Sequence, residues 1–199
     1  MKKELIQINT DALIKAYKES SNDCKNTLES LFGEELFKPK DITERIKTFD
    51  DAYKALGESH PYVVQYDQIF ACLMDGEEEI PKDIIAYLKL RIITAALNEG
   101  WKPQFTKDEW RYFPWFYLYT QKEIDEMDEE EKSRVVFRSH SFATARGGVA
   151  YAITSSDSSR TYAYIGSRLA FKSSELAKYA GEQFVEIWAD YVFKLQNNK

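Results

Sequence analysis

The chain has 199 residues, 44% of them hydrophobic and 30% charged, with a formal net charge of −6. Such a composition is that of a globular chain long enough to bury a core without disulfide or metal staples. Its acidity excludes a general coat for nucleic acid or for an acidic membrane.

The first hundred residues predict helices. "NTDALIKAYKES" starts at a polar cap and places Ala12, Leu13, Ala16 and Tyr17 at helical spacing. "NDCKNTLESLFG" carries Leu28, Leu31 and Phe32 as its apolar positions, with Gly33 as a C-terminal stop. "DITERI" has Asp41 and Glu44 at capping-box spacing, and "TFDDAYKALG" is a short helix ended by Gly57. From Pro61 to Met74 the repeat of Tyr62, Tyr66, Ile69, Phe70 and Leu73 predicts a helix, although Val63 and Val64 leave a strand open. After the polar link "DGEEEIP", the segment "KDIIAYLKLRIITAALNEG" shows a broad apolar stripe through Ile84, Ile85, Leu88, Ile92, Ala95 and Ala96, and Gly100 ends it.

The character of the chain changes at Trp101. Aromatic residues make up 15% of the sequence and crowd into "WRYFPWFYLYT", where Pro114 predicts an edge or irregular strand. "TQKEIDEMDEEEKS" opens with Thr120 and Glu123 at capping-box spacing and predicts a short acidic helix. "RVVFRSHSF" reads as a strand. "GGVAYAITSSDSSRTYAYIGSRLAFK" reads as a hairpin turning at "SSDSS". From Ser173 the period is helical again, with Leu176, Ala180, Phe184, Ile187 and Tyr191 on one face, widened by Ala177 and Trp188. The expected fold is α+β: a helical N-terminal half, a small antiparallel β-sheet and a long C-terminal helix. It forms one domain over 1–199, mainly helical over 1–100, with the aromatic-rich sheet and last helix over 101–199.

Alternation along the expected last strand puts Ala163, Ile165, Leu169 and Phe171 toward a core. Tyr162, Tyr164, Arg168 and Lys172 then share the other face. In "RVVFRSHSF", Arg134, Arg138 and His140 share a face in the same way. Residues 134–172 hold six cations against Asp157 alone. Tyrosines that stack on bases beside cations that hold phosphate are the equipment of a single-strand or nucleotide binder. The same residues on the wet face of an antiparallel sheet also occur where nothing binds, and Tyr and Arg equally suit a protein partner.

Other candidates carry less. Gly147 and Gly148 beside Arg146 offer an anion nest, but they lack a P-loop lysine; such a pair more often lets the chain turn into a strand. His60 precedes Pro61 at a helix start, a structural position. His140 lies between Ser139 and Ser141, whose side chains point to the opposite strand face, so no nucleophile–base pair is expected. Cys24 and Cys72 have no CxxC partner and read as reduced thiols, and the His and Cys counts do not make a zinc site. The acidic runs read as solvated surface. Trp101, Trp110 and Trp115, with Phe105, Tyr112 and Phe116, suggest a pocket or, more often, core. No cofactor and no catalytic residue is expected. "MKKELIQINT" has no apolar run behind its lysines, and no stretch approaches the ~20 apolar residues of a membrane helix, so the expected compartment is the cytoplasm.

The succession "AYLKLRIITAALNEGWKPQF", "YFPWFYLYT" and "IGSRLAFKSSELAKYAGEQFVEIW" resembles an uncharacterised family common in gut Bacteroidetes genomes and in their phages and mobile elements. The resemblance covers most of the chain and is clearest in "ALNEGW" and "GSRLAFKSSELAKYAGEQF". It brings no established activity and no site residues; it implies a phage or prophage context. The expected function is that of a non-enzymatic accessory protein acting by binding. Its ligand would be single-stranded nucleic acid or a nucleotide, held on a sheet face of Tyr162, Tyr164, Arg168, Lys172, Arg138 and His140. The alternative is a protein-interaction or structural component, such as a virion part or a host inhibitor, that binds no nucleic acid.

Overall fold

A computed structural model describes residues 8–74, 80–104, 106–139, 146–157 and 166–193. The chain forms two compact units, Met1–Arg45 and Ile46–Lys199.

In the first unit, α1 (Thr10–Glu19) starts where the Asn9 side chain accepts from the amides of Asp11 and Ala12, and α2 (Asn22–Phe32) ends at Gly33, whose φ of 85° suits a residue without Cβ. Tyr17 stacks on Phe37 at 4.2 Å between ring centroids, and its hydroxyl donates to Glu29. That bond, more than burial, raises the phenol's pKa. Asp41 caps α3 (Ile42–Arg45) by holding the amide and hydroxyl of Thr43, a residue that the spacing to Glu44 did not single out.

The second unit is built on α6 (Lys82–Leu97). From Leu90 on, almost every side chain of α6 is buried, because α4 (Phe49–Leu56), α5 (Pro61–Met74) and α10 (Val185–Val192) all pack on it. The apolar stripe read from the sequence is therefore only part of a nearly all-round buried surface, and Ile84 at its start stays exposed. α4 ends at Gly57 as expected, and it opens with a capping box between Thr48 and Asp51 that the sequence reading did not single out. The segment at Pro61 is a helix; Val63 is buried within it, so its β-branched pair does not make a strand.

The sheet has three antiparallel strands in the order β1 (Arg111–Thr120), β3 (Arg146–Asp157), β2 (Val136–Ser139). β1 is an edge of that sheet, as Pro114 requires, and its register shifts between Trp115 and Phe116. α7 (Gln121–Glu126) begins with the expected Thr120–Glu123 capping box, and a second short helix, α8 (Glu129–Ser133), opens with Asp128 and Glu131. Of the expected hairpin turn, Ser158 and Ser159 lie outside the described residues. Ser155, Ser156 and Asp157 are still strand, paired with Phe113, Tyr112 and Arg111. Gly147 and Gly148 form no nest: both lie in β3, paired on each side. A Cβ on Gly147 would come within 2.5 Å of the Phe193 ring, so this glycine serves close packing.

The C-terminal helix is real but broken. α9 (Ser174–Gln183) and α10 meet at Phe184, whose φ of −113° and ψ of 26° leave the helical range. The Ala180 carbonyl spans the break, accepting from the Phe184 amide and, at 3.1 Å, from the buried Trp188 indole. The two helices cover one sheet face, where Phe116 meets Trp188 at 5.3 Å and Tyr151 at 6.2 Å. α10 reaches α6 on its other side. The fold is α+β, with a helical N-terminal half, as the sequence pattern predicts.

Candidate functional site

The expected basic sheet face is redistributed. Tyr162, Tyr164 and His140 lie outside the described residues. Arg138 is on β2 opposite Gly147, with its side chain outside them as well. Arg134 caps the end of α8 and pairs with Glu130, before the strand begins. Arg168 and Lys172 are not on a strand. Gly166, at φ 59°, turns the chain into a 3-10 helix over Ser167–Leu169, and among the described residues of this stretch Phe171 alone pairs with the sheet, as a single bridge to Tyr112. Leu169, Ala170 and Phe171 are buried in succession, which strand alternation does not allow. Arg168 sits in this 3-10 turn and is exposed.

That turn lies against the end of α6. Asn98 is buried, and its side-chain amide makes two bonds to the segment that follows Leu169. Nδ2 donates to the Ala170 carbonyl at 2.9 Å, and Oδ1 accepts from the Lys172 amide at 3.0 Å. Lys172 adds an ion pair to Glu99 at 3.2 Å, which occupies it in a structural contact. Glu99 and Gly100, at φ 50° and 83°, turn the chain out of α6.

Beside this clasp opens a pocket of about 540 Å³ within the second unit. α6 contributes Thr94, Ala95 and Asn98; the start of α5 contributes His60, Pro61 and Tyr62. Trp101 and Lys102 come from the chain leaving α6, and Ser167 and Arg168 from the 3-10 turn. Its size falls in the range of small-molecule sites.

The side chains around it are held in place. The Trp101 indole donates to Glu109 at 3.0 Å, and the other oxygen of that carboxylate accepts from the Gln104 amide. Arg91 lies over the Tyr62 ring at 4.0 Å from its centroid and donates to Gln65, fixing the phenol from behind. The His60 Nδ1 accepts from the Tyr62 amide at 3.2 Å, capping α5. Burial, and then the nearby Arg91 charge, lower the His60 pKa, so the ring is neutral at pH 7 and carries its proton on Nε2.

Two helix ends line the pocket. The first turn of α5 has little donor capacity left, since Pro61 lacks an N–H and the Tyr62 and Val64 amides bond to His60, while the last turn of α6 ends in carbonyls. Arg168 and Lys102 are exposed cations on the rim. Thr94, which lines the pocket, is 2% exposed, and among the described residues its buried Oγ1 has no hydrogen-bond partner.

Sequence reading pointed to Arg168 and, among the aromatics, to Trp101. It treated His60 only as a helix start and passed over Tyr62, Thr94 and Lys102 as site residues. Helical periodicity assigns Tyr62 to a buried face, and Thr94 falls inside an apolar run. The available signal was "NEGWKP", a helix end followed by an aromatic and a cation. Trp110 and Trp115 do not join the pocket and are exposed, while Phe116 is packed against Trp188; Phe105 lies outside the described residues. Among the described residues no three His, Cys, Asp or Glu side chains are grouped to hold a metal ion, and no helix is long and apolar enough to cross a membrane.

Comparison with protein-family models, curated proteins and solved structures finds no match to this chain.

Proposed function

We propose that this chain acts by binding, and that its ligand is a small anion carrying a flat ring, of the kind a nucleotide represents, held in the pocket at the end of α6. One observation carries the reading: Arg168 shares a pocket of about 540 Å³ with the aromatic rings of Trp101 and Tyr62. Arg168 and Lys102 supply cations for phosphate. Trp101 and Tyr62 supply ring faces, each fixed by a neighbour, so little ordering is left for the moment of binding. Relative to the sequence expectation, the ligand class is kept and the place moves from a sheet face to a pocket. The phage or mobile-element setting, as a non-enzymatic accessory protein, belongs to the same proposal and rests on the resemblance of the "ALNEGW" and "GSRLAFKSSELAKYAGEQF" segments.

The test is isothermal titration of ribonucleoside monophosphates into the chain at low and moderate salt. Binding that weakens with salt, and about tenfold or more in Arg168→Ala, supports the reading. Unchanged affinity in Arg168→Ala would remove it.

A second reading, a protein-contact surface, is favoured by the sheet face opposite α9 and α10. Trp115 pairs with Ile153 there, and both are exposed, at 40% and 63%, with Tyr117 beside them at 57%. Solvent-exposed apolar side chains in such a group mark interaction sites. Absence of any nucleotide binding, with self-association or partner capture that depends on Ile153, would favour this second reading.

A further inference from the structure

We infer that His60 is a ligand-binding residue of the α6 pocket, donating its Nε2 hydrogen to the anionic group of the ligand while its Nδ1 caps α5. This rests on the reading of the pocket as a site for a flat-ringed anion, and adds a neutral donor to the cations already named.

His60 lines the pocket and stands immediately before α5. Its carbonyl accepts from the Val64 amide at 3.0 Å, the first bond of the helix, and Pro61 takes the first helical position. Its own amide donates to the Gly57 carbonyl at 3.1 Å. Its Nδ1 accepts from the Tyr62 amide at 3.2 Å. That amide can only donate, so Nδ1 presents a lone pair and the neutral ring carries its proton on Nε2. Nε2–H is the polar group of His60 that has no partner among the described residues. It is also open to solvent: the buried side-chain atoms that lack a partner include the Thr94 hydroxyl of the same pocket, but not this nitrogen. A donor that the protein leaves unused and reachable, on a pocket-lining residue, is available to a ligand.

The ring is held ready. The Tyr62 ring meets it edge to face at 5.1 Å between centroids, and Tyr62 is itself backed by Arg91 at 4.0 Å. With Nδ1 bonded and the ring face packed, the imidazole has little rotation to lose on binding. The anion suits this donor better than the ligand ring does. Arg91 is the charge that acts on His60, and its sign is positive. A positive potential favours a charged oxygen over a neutral carbonyl or ring nitrogen as the acceptor. The same charge keeps the donor in its working form, because a protonated ring would set an Nδ1–H against the Tyr62 N–H.

Two amide side chains separate the roles of the two nitrogens. Asparagine can put its oxygen near the place of Nδ1 and reaches no further, so it keeps the cap and lacks the donor. Glutamine carries its amide near the place of Nε2, so it keeps the donor and gives up the cap.

The experiment titrates AMP, GMP, CMP, UMP and phenyl phosphate, whose polar acceptors are all on the phosphate, into wild-type, His60→Asn, His60→Gln and Arg168→Ala chains. The titrations are calorimetric, at about pH 7.5, where the imidazole is neutral, and each unliganded chain is melted. His60→Asn is expected to melt with the wild type, yet to bind phenyl phosphate and the preferred nucleotide about tenfold more weakly. His60→Gln is expected to melt about 2–4 °C lower, yet to bind both within about threefold of wild type. The chain has two histidines, so loss of a signal in His60→Asn assigns the imidazole nitrogen spectrum. The His60 Nε2–H signal is expected without ligand and shifts when nucleotide is added. Unchanged affinity in His60→Asn, with Arg168→Ala still weakening both ligands, would sink the inference and leave the pocket reading standing. A loss in His60→Gln as large as that in His60→Asn would reduce His60 to its capping role. A loss confined to the nucleotides would put the contact on the base. Either result overturns the inference. If no ligand binds the wild-type chain, the pocket reading and the inference fall together.

Discussion

Asn98 grips Ala170 across 72 residues of sequence, its Nδ2 donating to the Ala170 carbonyl at 2.9 Å from the last turn of α6. The same amide accepts the Lys172 N–H, so one side chain fastens the wall that carries Arg168. The first bond is buried and the second partly buried, and removing the amide would strand a backbone carbonyl and a backbone amide. Asn98→Ala is expected to lower stability by about 2–4 kcal/mol, measured by urea denaturation. Asn98→Asp does not restore it, because a carboxylate cannot donate to Ala170. A loss below about 0.5 kcal/mol would show that the clasp contributes little.

His60 links acidity to stability in a defined window. Its folded pKa lies below 6.5, through burial first and the Arg91 charge second, so the folded chain binds fewer protons there than the unfolded chain. Stability linked to His60 is full above the unfolded value near 6.5, and is lost as pH falls through the lower folded value. Protonation of Nδ1 also removes the acceptor for the Tyr62 amide. Thermal melts between about pH 7.5 and 5 should show a step that disappears in His60→Asn, where a side-chain oxygen can replace Nδ1 as the cap. A step of equal size in His60→Asn would assign it to other groups.

Gly181 in α9 makes the opposing effects of helix propensity and packing measurable. Alanine in a helix interior is favoured over glycine by about 1 kcal/mol. Here, however, a Cβ would stand 2.5 Å from the Tyr151 ring and 2.8 Å from the Pro114 Cβ, neither of which is the free end of a flexible chain. The clash should outweigh the propensity, and Gly181→Ala should lose about 1–2 kcal/mol in chemical denaturation. A more stable variant would mean that α9 can lift from the sheet without cost.

Those contacts also show which parts of the architecture were legible in the sequence. The capping box at Thr120, stops at Gly33 and Gly57 and the edge strand at Pro114 were readable because each depends on a few neighbouring residues. Residues 166–172 were not. Leu169 and Phe171 are apolar at alternate positions, which imitates a strand, while their real partners are distant: α6 for the 3-10 turn and Tyr112 for Phe171. The break at Phe184 escaped for a related reason. The apolar spacing from Leu176 to Tyr191 continues through it, and what distinguishes it is the Trp188 indole bonded to Ala180. Arg168 was singled out for its charge, and the pocket around it was hidden because its walls come from separate stretches of chain.

The separation of those walls has a consequence during synthesis. Leu56 to Tyr62 leave the ribosome early, Thr94 to Pro103 later, and Ser167 to Ala170 only when most of the chain has been made. A nascent chain halted before Gly166 contains α4 and α6 but has neither Arg168 nor the backbone that Asn98 clasps. Ligand captured at this pocket would therefore report that translation has passed Lys172, and a growing chain can neither sequester the ligand nor be stabilised by it before then.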